Sequence, residues 1–303
     1  MSEKRVIESN RLKVTIDDAG AELVSIYDKQ EQREIMWQAD PAFWKRHAPI
    51  LFPNVGKTYP GNFRYEGKTY PTKQHGFARD MEFTYVTGDE NQSVHLLTYD
   101  EETLKVYPFE FGLEVTHQVQ DNQVLVKWTV KNLGYSPMYC TIGAHPAFNV
   151  PAENWEPEKG EGKEQKDYYL TFAKGKKELT YLLLDSESGT AHNETVYSME
   201  LEEGRCKVGE DRFEKDALIF DDGQIEKAGI AFPDGTPYVT IVCQGFPNFG
   251  IWQAPNAPFI CLEPWWGRCD NHGFSGSLEE KPGIIKIDPQ KTFEAFYTIT
   301  IGE

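Results

Sequence analysis

No stretch of the 303-residue chain approaches the roughly 20 consecutive apolar residues that carry a helix across a bilayer. Nor does Met1-Ser2-Glu3-Lys4-Arg5 lead into the apolar core of a secretory leader. Both absences point to a cytoplasmic chain. Cysteine is sparse, with five residues, an odd count and no C-x-x-C pair, which argues against a disulfide framework. Cys140, Cys243 and Cys261 lie in apolar runs and read as buried hydrophobes. Positive charge is also short: 31 Lys and Arg face 48 Asp and Glu, a net charge of -17. That balance excludes nucleic acid or an anionic membrane as the main partner, since both require a positive face. A glycine-rich phosphate loop, a dinucleotide fingerprint and an H-E-x-x-H pair are all missing, so neither cofactor nor metal is expected. His145 and His75 are too far apart in sequence for their spacing to specify zinc.

Helical signals are few. Asp40-Pro41 predicts a short helix through Trp44, and Asp100 to Tyr107 predicts a further turn or two. The dominant period is two: Leu12, Val14 and Ile16 alternate, as do Leu113, Val115 and His117, then Val124, Val126 and Trp128. Tyr238 to Cys243, Ile284 to Ile287 and Phe293 to Thr300 are further strands. Glu66-Gly67, Asp121-Asn122, Asn132-Leu133-Gly134, Asp222-Gly223 and Asp234-Gly235 punctuate these runs as turns. Many short strands with few helices predict an all-β fold, a large antiparallel β-sandwich, with residues 1–303 forming a single domain. The Glu-, Lys-, Gly- and Pro-rich stretch 151–167 reads as a long surface loop, or a flap over a site.

Two apolar runs end on an ionisable side chain followed at once by proline: His145-Pro146 after Cys140 to Gly143, and Glu263-Pro264 after Phe259 to Leu262. Proline gives no N–H to a ladder and keeps its predecessor extended, so each pair marks a rigid strand end. Glutamate is rarely buried unless paired or functional, and apolar neighbours raise its pKa toward neutrality. An imidazole and a carboxylate held in this way predict proton transfer on a small polar substrate. Gln74-His75-Gly76-Phe77-Ala78-Arg79 adds a second histidine and a guanidinium suited to sugar hydroxyls or a phosphate. Asp216 opens another apolar run, while Trp252, Trp265, Trp266 and Phe77 offer stacking faces for a sugar ring. The structural alternatives are a Glu263–Arg268 salt bridge and an Arg79 pair with Asp80 or Glu82.

Arg46-His47-Ala48-Pro49-Ile50-Leu51-Phe52-Pro53, His75-Gly76-Phe77-Ala78-Arg79-Asp80, Gly143-Ala144-His145-Pro146-Ala147-Phe148, Asp216-Ala217-Leu218-Ile219-Phe220 and Leu262-Glu263-Pro264-Trp265-Trp266-Gly267 occur in this order along the chain. The ordered set resembles the aldose 1-epimerase (galactose mutarotase-like) family, and within it the LacX-type branch. The resemblance implies a galactose mutarotase-like supersandwich with its site on a concave sheet face. It implies Glu263 as general base, His145 as general acid, His75 as the second histidine on the ring-oxygen side, and Asp216 as a ligand of sugar hydroxyls. Two positions depart from the pattern: Lys57 stands where the family carries an arginine, and Gln253 lies out of step with the family's glutamine.

The reaction this implies exchanges the α and β anomers of a hexose through ring opening, beginning with His145 cationic and Glu263 ionised. The partner is a small-molecule sugar, and the protein is expected as a monomer or homodimer. Within the family, a hexose-6-phosphate 1-epimerase would use Lys57, Arg79 and Arg46 for the phosphate. Outside it stand a glycoside hydrolase or lyase built on Glu263 and Asp216, and a non-catalytic carbohydrate-binding protein.

Overall fold

A computed structural model describes residues 2–150, 153–156, 161–163 and 165–302. Among them antiparallel sheet dominates. A nine-stranded sheet runs in the order Arg205–Lys207, Tyr169–Phe172, Lys227–Ala231, Pro237–Val242, Thr292–Ile301, Gln123–Asn132, Phe111–Gln120, Gln92–Thr98, Thr84–Gly88. An eight-stranded sheet runs Ala191–Glu200, Glu178–Leu184, Leu218–Phe220, Asn248–Trp252, Phe259–Trp266, Ile142–Ala144, Ile50–Leu51, with Ala147–Asn149 also paired to Phe259–Trp266. A four-stranded sheet of Lys4–Glu8, Leu12–Asp17, Glu22–Asp28 and Arg33–Glu34 adds to these.

The alternation seen in the sequence becomes the core. Trp128 lies opposite Val115 on one side and Ala295 on the other, and Val124 lies opposite Val119 and Ile299. These inward rows pack in one cluster with Leu218, Phe220, Phe249, Ile251, Ile260 and Leu262 from the eight-stranded sheet. The two large sheets therefore form the expected sandwich, each strand offering alternate side chains to the shared interior.

The other face of the eight-stranded sheet is not simply solvated. It carries two smaller apolar clusters, one around Leu51, Val55, Ile219 and Trp265, the other around Trp37, Ala147, Phe259 and Cys261. Along Phe259–Trp266 the even-numbered residues Ile260 and Leu262 enter the main core, while Phe259, Cys261 and Trp265 belong to the outer clusters. Glu263 shares the outer face, between Cys261 and Trp265.

Asp100 caps the helix Glu101–Val106 in a reciprocal capping box with Thr103, as expected. Asp40 does not start a helix. Its carboxylate takes the Ala42 N–H and its carbonyl the Phe43 and Trp44 N–H groups, closing only a turn. The turn stops because the Trp44 carbonyl is drawn away to accept from the Trp37 indole at 2.8 Å. Of the stretch 151–167, the backbones of Glu153–Glu156 and Glu161–Lys163 pair as a short ribbon. A flap formed by the rest of that stretch lies largely outside the described residues.

Candidate active site

The sheet register sets the geometry. Ile142 and Gly143 pair with Trp266 and Trp265, and Ala147 and Phe148 pair with Cys261 and Ile260. The register continues unbroken across the gap, so His145 falls directly opposite Glu263. Pro146 supplies no donor there, but its carbonyl accepts from the Leu262 N–H at 3.2 Å. Neighbours in such a row face the same way, and His145 Nε2 lies 3.4 Å from Glu263 Oε1. On its other side Glu263 is opposite Gly250 and not a bulky residue.

That glycine, with Gly143, makes room for Trp265. A Cβ on Gly250 would lie 2.3 Å from the Trp265 ring, and one on Gly143 2.4 Å from Trp265 Cδ1. The indole therefore lies flat across the sheet as a wall of a hollow of about 520 Å³. The volume suits a bound sugar. The wall also takes in His75, Arg79, His145, Asp216, Trp252 and Glu263. His145, Glu263, His75, Arg79, Asp216, Trp252 and Trp265 thus meet on one cavity, whereas Phe77 and Trp266, expected as further stacking faces, pack against the main core instead.

Lys57 does not line this cavity either. It lines an adjoining hollow, with its ammonium beneath Gly189. Gly56 turns toward the first cavity and Lys57, the next residue, away from it. Gln253 is spent on the Ala257 carbonyl at 2.8 Å and does not line the cavity.

His145 and Glu263 are both nearly inaccessible, at 7% and 1% exposure. Burial pushes the Glu263 carboxyl well above the usual carboxylate range, and the nearby Asp216 charge adds to the shift. Burial pulls His145 down to about 3, with Arg79 and Arg46 lowering it further. The two shifts favour a neutral pair, with the proton on Glu263 and not on His145. Both run against the charged pair with which the expected reaction begins. The physical reason is the depth of the pair, which the sequence did not disclose.

His75 is set by its backbone contacts. Its Nδ1 accepts from the Gly56 N–H at 3.1 Å, so Nε2 must carry the proton in the neutral ring. Burial, then the charges of His145, Arg79 and Arg46, hold its pKa well below the ordinary value. His75 is therefore a fixed neutral donor. Asp216 is exposed at the rim and adopts φ 73°, a left-handed conformation that aspartate tolerates better than most residues.

The structural alternatives do not hold. Arg268 binds Asp221 through Nε at 2.8 Å, not Glu263. Asp80 pairs with Arg46 at 2.6 Å, and Arg79 donates to the Gln74 carbonyl at 2.7 Å. Trp44 escaped the sequence reading. It stacks on His145 with centroids 4.8 Å apart and meets Trp252 edge-on at 5.7 Å. Read as the end of a helix, it carried no sign of the cavity. Its place follows from Glu22, whose carboxylate accepts from the His47 and Ala48 N–H groups and pins the loop from the far side.

His145, Cys261 and Glu263 also bring three donor atoms within 4.8 Å of one another. Burial drives the Cys261 thiol and the Glu263 carboxyl both toward their protonated forms. A metal ion here would have to displace the protons that burial favours on Cys261 and Glu263.

Comparison with known proteins agrees with the fold. The chain is 30% identical to the plasmid-borne and chromosomal LacX proteins of Lactococcus lactis subsp. lactis, over 97% of this chain and 98% of each relative. A galactose mutarotase related enzyme from Lactobacillus acidophilus superimposes with a TM-score of 0.91 at 31% identity, over 99% of this chain and 98% of that one. A galactose mutarotase-like protein from Lactobacillus casei gives 0.87 at 30% identity, over 99% and 100%. The family model for aldose 1-epimerase matches residues 4–264, and the chain belongs to that family.

Proposed function

We propose that the protein exchanges the α and β anomers of a neutral aldose. The observation that carries this reading is the cross-strand pair: an imidazole nitrogen 3.4 Å from a carboxyl oxygen on the wall of a sugar-sized, aromatic-lined hollow. Anomer exchange needs one proton taken from the anomeric hydroxyl and one delivered to the ring oxygen. A pair holding a single proton between two groups can do both.

In the productive complex the sugar selects the charged arrangement. Its anomeric O–H donates to the Glu263 carboxylate, and its ring oxygen accepts from protonated His145. Glu263 then takes the hydroxyl proton, the C1–O bond of the ring breaks, C1 becomes the aldehyde, and His145 protonates the released ring oxygen. The pair is left with Glu263 protonated and His145 neutral. Burial favours that very state, so the protein offsets part of the cost of the open chain. Rotation about the first C–C bond and closure on the other face reverse both transfers. His75 donates from Nε2 to a sugar oxygen, Asp216 accepts from hydroxyls at the rim, and Trp265 and Trp252 flank the ring.

The hydrolase reading shares the raised Glu263 and the nearby Asp216, but has no need of an opposed histidine. A phosphate is less well served, because Asp80 neutralises Arg46 and Lys57 stands outside the cavity. Polarimetry on freshly dissolved α-glucose or α-galactose tests the proposal. Accelerated decay to the equilibrium rotation, with no new product, is expected. An unchanged spontaneous rate for every aldose tried would sink it.

A further inference from the structure

Trp265 carries a donor that neither the wall it forms nor the proton transfers use. Its Nε1–H is buried and makes no hydrogen bond among the described residues. An indole nitrogen can only donate, and when buried it usually finds a partner. The strand register locates this edge of the ring. Gly143 is opposite Trp265, and a Cβ there would lie 2.4 Å from the indole Cδ1. Gly250 is opposite Glu263, two positions back along the strand, and a Cβ there would lie 2.3 Å from Cζ2 and 3.1 Å from Cε2. Nε1 sits between Cδ1 and Cε2 in the ring. The N–H edge therefore runs from the row of Trp265 to the row of Glu263.

The other groups around this carboxyl are poorly suited to hold it as an anion. His145 stands 3.4 Å away and burial keeps it neutral. Cys261 is a weak donor whose thiol stays protonated, and Asp216 repels a second negative charge. His75 meets the His145 ring at 5.5 Å, and Arg79 and Arg46 act on His145. Against burial and Asp216, the Trp265 side chain draws the carboxyl toward its ionised form. A protonated carboxyl accepts weakly and a carboxylate strongly, so this donor gains its partner when the proton leaves.

We propose that Trp265 is a positioning residue for the general base: its Nε1–H closes on Glu263 as the sugar draws the pair into its charged arrangement, and it sets how much of the protein reaches that state. The inference rests on the anomer-exchange reading. An uncharged donor suits the task. A cation in its place would fix the carboxylate at rest and weaken it as a base.

The test replaces Trp265 by β-(3-benzothienyl)alanine, which keeps the shape of the ring with sulfur in place of N–H. Trp265→Phe is the simpler companion. In both, the infrared C=O band that Glu263→Gln abolishes should titrate about one pH unit higher than in the parent, since a hydrogen bond to a charged group is worth about tenfold. By polarimetry, the plateau of kcat/KM should fall about tenfold and its alkaline limb should move up by the same interval. The two profiles then converge at high pH, where Glu263 is already ionised in the free protein. Trp265→Phe should show a further even loss from the thinner wall. An isostere with the parent's infrared midpoint and pH limbs would make the indole a wall alone and overturn the proposal. A shifted midpoint in a protein whose parent accelerates no aldose would instead overturn anomer exchange and leave the bond from Trp265 to Glu263 standing.

Discussion

Two regions of this molecule bury a histidine against a carboxylate, and they have opposite fates. At the candidate site His145 faces Glu263 across 3.4 Å and both open on a hollow. Between the four-stranded sheet and the nine-stranded sheet, His95 Nε2 meets Asp18 Oδ1 at 3.0 Å, with the buried His117 ring 6.3 Å away. The second cluster is closed by Arg5, whose guanidinium grips Asp18 through both carboxylate oxygens at 3.0 and 2.7 Å. Burial opposes the Asp18 charge, but Arg5 and His95 overcome it and hold the carboxyl below its usual range. Among the described residues Glu263 has no such cation, and its carboxyl moves the other way. A compensated buried charge is a structural fastening, whereas an uncompensated one beside a cavity keeps its proton available for transfer.

The largest effect that would break this contrast is in Glu263→Gln. Glutamine mimics the protonated acid in shape, so sugar binding should persist while kcat falls about 10²–10⁴-fold by polarimetry. The same variant should melt no lower than the parent at neutral pH. A carboxyl raised in the fold penalises folding at pH values above its unfolded pKa, and that penalty goes with the charge. A variant that keeps full turnover would remove Glu263 from the mechanism.

Asp18→Ala should do the converse. It strips both Arg5 and His95 of their partner and should cost about 2–4 kcal/mol in denaturant unfolding. Specific activity per folded molecule should not change. A loss of kcat at constant folded fraction would mean that the two regions are coupled and the contrast is false.

Gly250→Ala probes the site wall. The new Cβ would strike the Trp265 ring at 2.3 Å, and overpacking of this kind costs about 1–3 kcal/mol. Because the displaced indole lines the cavity, KM should rise more than kcat falls.

Much of this was legible in the residues. Period-two runs such as Val124, Val126 and Trp128 required strands, and the two X-Pro strand ends pointed to His145 and Glu263. Register was not legible. That positions 145 and 263 lie opposite each other depends on pairing between strands more than a hundred residues apart, and no local pattern encodes it. Lys57 was misplaced for a related reason, because a one-residue step at Gly56 decides which hollow its side chain enters. Trp44 was read as the end of a helix because Asp40-Pro41 is a good local start signal, and the tertiary bond from Trp37 to its carbonyl overrode it. The neutral resting pair was beyond reach as well, since burial depth is a property of the assembled sheets.

The smallest expected effect separates the two regions by pH. His117 is 1% exposed, and burial, with His95 second, lowers its pKa to about 3. An unfolded histidine titrates near 6.5. Between those values the unfolded chain binds a proton that the folded chain refuses, so stability is complete above about pH 6.5 and declines as pH falls toward 3. Each pH unit in that window costs about 1.4 kcal/mol for one such group. Replacing His117 by Leu removes the group. Its Nδ1 has no hydrogen-bond partner among the described residues, so little polar bonding is lost at that atom. Urea unfolding of the variant at pH 4 and pH 7 should therefore show a smaller difference than the parent shows, by up to that amount per unit. The pH dependence of turnover should stay where it was, because it belongs to His145 and Glu263. If the turnover profile moved and the stability profile did not, the His95–His117 cluster would have to be counted as part of the site.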